Sequence, residues 1–238
     1  STSYHHHSIG GYSGAKMKRY QELIETSLSD DINSLITNLR TATTMEEAEG
    51  ALGSLGILNM LNTRYIILDP GSAPLVNRHA AGNAWLVNRV TLAENADAEL
   101  LAVKTINPKE EAVVDRRFAE LIGVDETAGT PGDTIFLTSY EPNLLTYKAE
   151  LSSERVAIFS EIYYKYGWKA SVDDKPADHF RANYVLRGMT LPAGSHTVTF
   201  MFDPESYRIG NRVSLAGSVV LLAFLLLAAF PLLKKRNG

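Results

Sequence analysis

Apolar positions along this chain recur with one period in the first half and another in the second. Met17, Tyr20, Ile24 and Leu28 fall at helical spacing, and Ser13 stands where it would cap a helix beginning at Ala15. After "SDD" (29–31), Ile32, Leu35, Ile36 and Leu39 recur at i, i+3, i+4 and i+7 and predict a second helix. Thr44 and Glu47 fit a capping box, so a third helix is expected to run to about Leu61, weakened by Gly50, Gly53 and Gly56. "RYIILD" (64–69), closed by Asp69, Pro70 and Gly71, reads as a buried strand. A Gly82-Asn83 turn precedes another strand over 84–90, "NADAELLAVKTI" reads as a short helix, and "EAVVD" as one more strand. Residues 1–126 are therefore expected to form an α/β segment on a small sheet.

"TAGTPG" (127–132) marks a loop, and beyond it the period becomes two. Ile135, Leu137 and Ser139 alternate along one strand; Leu145, Tyr147, Ala149 and Leu151 along the next; Val156, Ile158, Ser160 and Ile162 along a third; Val198, Phe200 and Phe202 share a face later on. Turns at "YEPN", "LSSE", "VDDKPA" and "LPAGSH" separate short strands, the pattern of a β-sandwich or jelly-roll-like domain over 127–210. The expected fold class is α+β.

Residues 213–233, "VSLAGSVVLLAFLLLAAFPLL", carry no charge. About 21 residues at 1.5 Å each give roughly 31 Å of helix, against about 30 Å of hydrocarbon, so a single transmembrane helix is expected. Lys234, Lys235 and Arg236 form a basic tail (234–238) suited to the cytoplasmic side, while Tyr207, Arg208 and Arg212 suit the opposite interface. The first 210 or so residues are thus expected outside the cytoplasm. The chain opens on Ser1, and upstream sequence is expected to deliver it across the membrane.

Composition narrows the chemistry. A net charge of −4 leaves no basic footprint for nucleic acid, and the lack of cysteine excludes disulfides, thiolate metal sites and a Cys nucleophile. No nucleophile elbow, HExxH or dinucleotide fingerprint is present, so no catalytic residue, cofactor or metal is assigned. In "SYHHHSIGGYSGAK", His5 and His7 would project to one side of an extended backbone, ahead of a glycine-rich loop and Lys16. That is more the pattern of a polar junction loop than of a metal site. It also has the convergent N–H groups and charge of an anion site, such as a lipid pyrophosphate would need. "EIYYKYGW" gathers Tyr163, Tyr164, Tyr166 and Trp168, aromatic faces on which sugar rings stack and which equally fill sandwich cores. Asp173 and Asp174 fall in a hairpin turn, where acids serve turn geometry rather than glycoside cleavage. Arg187 is a cation amid strands, suited to a sandwich carboxylate or to lipid headgroups. The candidate substrate-binding residues are His5, His7, Lys16, Tyr164, Trp168 and Arg187.

The stretch "GWKASVDDK", then "RANYVLRG", then "LPAGSHTVTFMFDPESYRIG" just before the apolar run, resembles the C-terminal region of YfhO-like bacterial integral membrane proteins. "SYHHHSIGGYSGAKMKRYQELI", "LNMLNTRYII" and "GNAWLV" extend the resemblance over nearly the whole chain, closest to Bacteroides-type versions. Asp174 departs from the pattern, standing where a Gly commonly follows Asp173. The resemblance implies a polytopic protein similar to large-loop (GT-C) glycosyltransferases that use lipid-linked sugars, with its catalytic acid in upstream membrane loops. This region would then bind the acceptor side and cover the membrane active site. Its partners would be the bilayer, upstream membrane helices of the same chain, and a lipid-linked sugar or envelope glycan. The alternative reading is a membrane-anchored carbohydrate-binding or envelope-scaffolding module without catalysis.

Overall fold

The computed structural model describes residues 8–10, 16–69, 71–123, 126 and 129–236. His5, His7, Ser13 and Ala15 lie outside the described residues.

The first two expected helices are one continuous rod. Helix α1 (Lys18–Leu23) passes through a π turn (Ile24–Leu28) into α2 (Ser29–Thr41). The Ser29 hydroxyl donates to the Ile24 carbonyl five residues back at 2.7 Å, a spacing that fits the widened turn. One extra residue turns the downstream helix by about 100°. The buried stripe therefore runs through Leu23, Leu28 and Leu35, and Ile32 and Ile36 stay about two-fifths exposed, against expectation. Asp31 does not open a helix. Its Oδ2 accepts from the N–H groups of Ile57 and Leu58 and so caps a different helix, α4 (Gly56–Met60).

The third helix, α3 (Met45–Gly53), is capped as expected: Thr44 Oγ1 accepts from the Glu47 N–H, while Glu47 reaches back to Thr43 N. It stops at Gly53 rather than Leu61, and the chain restarts as α4. "RYIILD" yields only β1 (Tyr65–Ile66), paired antiparallel with β2 (Leu75–Val76). Ile66 and Leu75 pack on the helix-facing core, but Tyr65, Ile67 and Leu68 are at least half exposed, so this is a surface ribbon covered on one face and not a buried strand.

Two larger sheets make the body. The strand expected over 84–90 breaks at Asn88 into β3 (Ala84–Val87) and β4 (Arg89–Ala93). Helix α5 (Ala96–Ala102), capped by the Asn95 side chain, carries β4 over to a parallel partner, β5 (Glu111–Asp115), which runs into a 3-10 turn (Arg116–Leu121). The remaining strands are β6 (Thr134–Glu141), β7 (Leu144–Leu151), β8 (Arg155–Ile162), β9 (Trp168–Val172), β10 (Lys175–Ala177), β11 (Phe180–Ala182), β12 (Leu186–Leu191) and β13 (Gly194–Phe202). The five-stranded sheet has order β10-β9-β13-β7-β6, the six-stranded sheet β3-β8-β12-β11-β5-β4. Strands from both sides of residue 127 thus share the second sheet. Its two edges, β3 and β4, are joined through Asn88 alone, so the sheet must curl until its edges nearly meet.

Three layers follow from the strand alternation. Along β8, Val156 and Ile158 face the helices with Leu23, Leu52, Met60 and Phe180. Ala157 and Phe159 face the other sheet, with Tyr147, Val198 and Phe200. Buried on both faces, β8 carries an unbroken apolar run at its centre. The sandwich core is the second of these contacts, the helical layer the first, and the α+β class is as expected.

At the β9–β10 hairpin, Asp173 and Asp174 both adopt positive φ (51° and 63°), and Val172 pairs with Lys175 across a two-residue turn. Two left-handed residues define a type I′ turn, which favours Gly second. Asp174→Gly is expected to raise stability by up to about 1 kcal/mol, read as a higher urea midpoint at unchanged slope.

The last element is α6 (Glu205–Arg236), an unbroken helix about 48 Å long. Among the described residues nothing covers Glu205–Leu226, which is long and apolar enough to cross a membrane.

Candidate functional site

The end of the sandwich nearest α6 brings Arg187, Trp168, Phe200 and His179 together. A register shift between Leu186 and Arg187 sets up this end of β12. Leu186 joins the helix-facing core, and Arg187, Met189 and Leu191 alternate toward the facing sheet. The Arg187 side chain is thereby driven between the sheets, where it is only 2% exposed.

Aromatic rings receive it. Its guanidinium carbon lies 4.0 Å from the centre of the Trp168 ring and 5.2 Å from that of Phe200. Nε donates to the Ile162 carbonyl at 3.3 Å, while one terminal nitrogen, Nη1, is buried without a hydrogen-bond partner. Burial lowers the Arg187 pKa to about 10, against the opposing pull of Glu161, Tyr147 and Tyr140, so the group stays charged at neutral pH. A desolvated cation over an indole face is worth up to about 2 kcal/mol, more than a solvated one.

Phe200 is shared by a second polar group. His179, just before β11, sits with its ring 5.5 Å from Phe200 and 5.5 Å from Tyr163, and its Nε2 is buried and unbonded. Desolvation, helped by the Arg187 charge, pushes its pKa down to about 4 from the usual 6.5. The fold thus excludes a proton that the unfolded chain takes up. Stability attributable to His179 is full above about pH 6.5 and is lost as pH falls toward about 4, by up to about 3 kcal/mol. Urea unfolding between pH 7 and 4 is expected to show this loss, and His179→Gln to show a shallower one.

Trp168 opens β9 and pairs in register with Phe202, the last residue of β13, their rings 5.2 Å apart. The sequence-predicted residues therefore separate into three groups. Arg187 and Trp168 are brought together. Tyr164 lies in the β8–β9 loop and meets Tyr166, edge to face at 5.8 Å, rather than Trp168. Lys16 is exposed ahead of α1, in the helical layer, and His5 and His7 lie outside the described residues. His179 and the Tyr147 hydroxyl, both at the Arg187 cluster, carried no sequence signal beyond being polar atoms amid strands. Among the described residues, no three His, Asp or Glu side chains are grouped to hold a metal ion.

A separate buried network lies on the helical side. Glu99 of α5, fully buried, accepts from Arg181 of β11 (2.9 Å), from Arg19 of α1 (3.4 Å) and from the Tyr184 N–H (3.1 Å). Arg181 also reaches Asp115 at 3.3 Å. Asn183 and Tyr184, both at positive φ, turn the chain so that the Tyr184 ring stacks under Arg19 at 4.5 Å and its hydroxyl donates to Glu22 at 2.6 Å. Its reach over four elements makes it a fastening of the fold.

Residues 133–214 match the family model described as bacterial membrane protein YfhO. The match takes in β6 to β13 and runs into α6. No curated protein and no solved structure matches the chain. The family match and the uncovered apolar helix together support a membrane-associated protein with a sheet-rich domain and a C-terminal membrane helix.

Proposed function

We propose that this chain is the extracytoplasmic, C-terminal part of a polytopic cell-envelope protein that moves a sugar from a lipid carrier to an acceptor. In this reading the chain assists acceptor binding and covers a membrane active site contributed by upstream helices; bond-making resides there. The observation that carries the reading is the family match running from the sandwich directly into the membrane helix. The sandwich lies outside the cytoplasm and the basic tail inside it. Substrate contact comes from the α6-proximal end, through Tyr164 and the half-buried Trp168. Arg187, almost wholly covered, acts by holding the indole. His5, His7 and Lys16 contribute from the junction with the membrane part.

The test is the mass of the native protein in source membranes, detected with an antibody to residues 127–210. A band several times heavier than 26.1 kDa is expected, with sugar transfer from a lipid-linked donor lost when the sandwich is deleted. A band near 26 kDa without proteolysis would retire this reading in favour of a single-span glycan-binding or scaffolding module.

A further inference from the structure

The β8–β9 loop is stapled to the root of α6. Only Asp203 and Pro204 separate β13 from α6. The Asp203 N–H donates to the Gly167 carbonyl at 2.8 Å, and its carboxylate pairs with Lys169 at 2.6 Å and Arg208 at 3.5 Å. Gly167, at φ +105°, lies so close to Phe202 and Pro204 that a Cβ there would fall 2.8 Å from the Phe202 ring. The loop and the helix root therefore move as one piece.

The loop presents aromatic side chains at that level. Tyr164 and Tyr166 are 41% and 66% exposed although they touch each other, and Tyr207, on the first turn of α6, is 67% exposed. Lys165 lies 5.8 Å from the Tyr166 ring. Eight residues, Glu205 to Arg212, separate the helix start from the uncharged run, about 12 Å of helix. A headgroup layer occupies roughly 5–8 Å of that distance on each side of the hydrocarbon. The remaining few ångströms are within the reach of a tyrosine side chain, and a tilted helix would shorten them. Tyrosine favours this depth because its ring is apolar and its hydroxyl stays hydrated.

We infer that Tyr164, Tyr166 and Tyr207 form an aromatic collar that docks the sandwich onto the headgroup layer of the bilayer that α6 crosses. The collar fixes the sandwich against the membrane rather than leaving it to swing on its helix. This goes beyond the proposed function and holds whether or not the protein transfers sugars; it needs only that α6 spans the bilayer.

The lack of cysteine permits single labels without background. The full chain carrying Tyr166→Cys or Tyr164→Cys is labelled with a nitroxide and reconstituted into phosphatidylcholine vesicles. Ala193→Cys, in the β12–β13 turn at the other end of β13 and about 30 Å away, is the reference. Collision with oxygen is expected to rise, and collision with a water-soluble nickel chelate to fall several-fold, at 164 and 166 relative to 193. Nickel collision equal to that at 193 would overturn the proposal, because the loop would stand in water. So would a fall in both collision rates, because the label would be covered by protein rather than lipid. Should one variant fail to fold, the other gives the reading, since both positions are exposed.

Discussion

Glu99→Ala is expected to cost about 3–5 kcal/mol of folding stability, because it breaks a buried charge network. The carboxylate is fully buried and satisfies three donors from α1, β11 and the β11–β12 turn. Burial pushes its pKa up while Arg181, Arg19 and the Tyr184 N–H pull it down, burial being the larger effect. Removing it leaves Arg181, its side chain 7% exposed, with the Phe118 ring at 5.4 Å and Asp115 at 3.3 Å, and Asp115 is already engaged by Arg117 at 2.7 Å. It also strips the buried Tyr184 N–H of its acceptor. Glu99→Gln keeps an acceptor without the charge and is expected to fall between. Urea unfolding in detergent micelles, followed by Trp85 and Trp168 fluorescence, measures both; a loss below about 1 kcal/mol for Glu99→Ala would mean the network is dispensable.

Phe159→Ala is expected to cost about 3–5 kcal/mol through the sandwich instead. Phe159 is fully buried between the sheets, its ring 4.8 Å from Tyr147 and 4.9 Å from Phe200, both edge-on. Its strand pairs with β3 on one side and β12 on the other, so the backbone has little room to close over a cavity. Phe200 in turn flanks Arg187 and His179. The loss should therefore come with weaker packing around the cation, read as a shift in Trp168 emission. A cost under about 1.5 kcal/mol would show that the sheets are not held by this aromatic triad.

Much of the second half was legible because period-two alternation is a local property. Leu145, Tyr147, Ala149 and Leu151 alternate in sequence and face the sandwich core in the structure. The capping box at Thr44 and Glu47, the "VDDK" turn and the apolar helix were legible for the same reason. Pairing partners were not. Nothing in "AWLVNRVTL" says that Asn88 carries the chain from one edge of a curled sheet to the other, since that depends on strands distant in sequence. "RYIILD" looked buried because apolar residues usually are, but its ribbon is covered on one face only, by the core under Ile66 and Leu75. Glu99 sits in "DAELLA" like any solvated helix acid; its partner Arg181 is 82 residues away. At the candidate site, Trp168 and Arg187 were legible as residue types with useful chemistry. Their stacking depended on the β12 register shift, which no local pattern announces.

The proposed function requires that α6 crosses the bilayer with the sandwich outside the cytoplasm. The most direct measurement is labelling with a membrane-impermeant maleimide in intact cells, using Ala193→Cys in one variant and a cysteine added after residue 238 in another. The account predicts that position 193 is labelled in intact cells and the C-terminal cysteine only after the membrane is opened. Labelling of the C-terminal cysteine in intact cells, with position 193 protected until lysis, would contradict it.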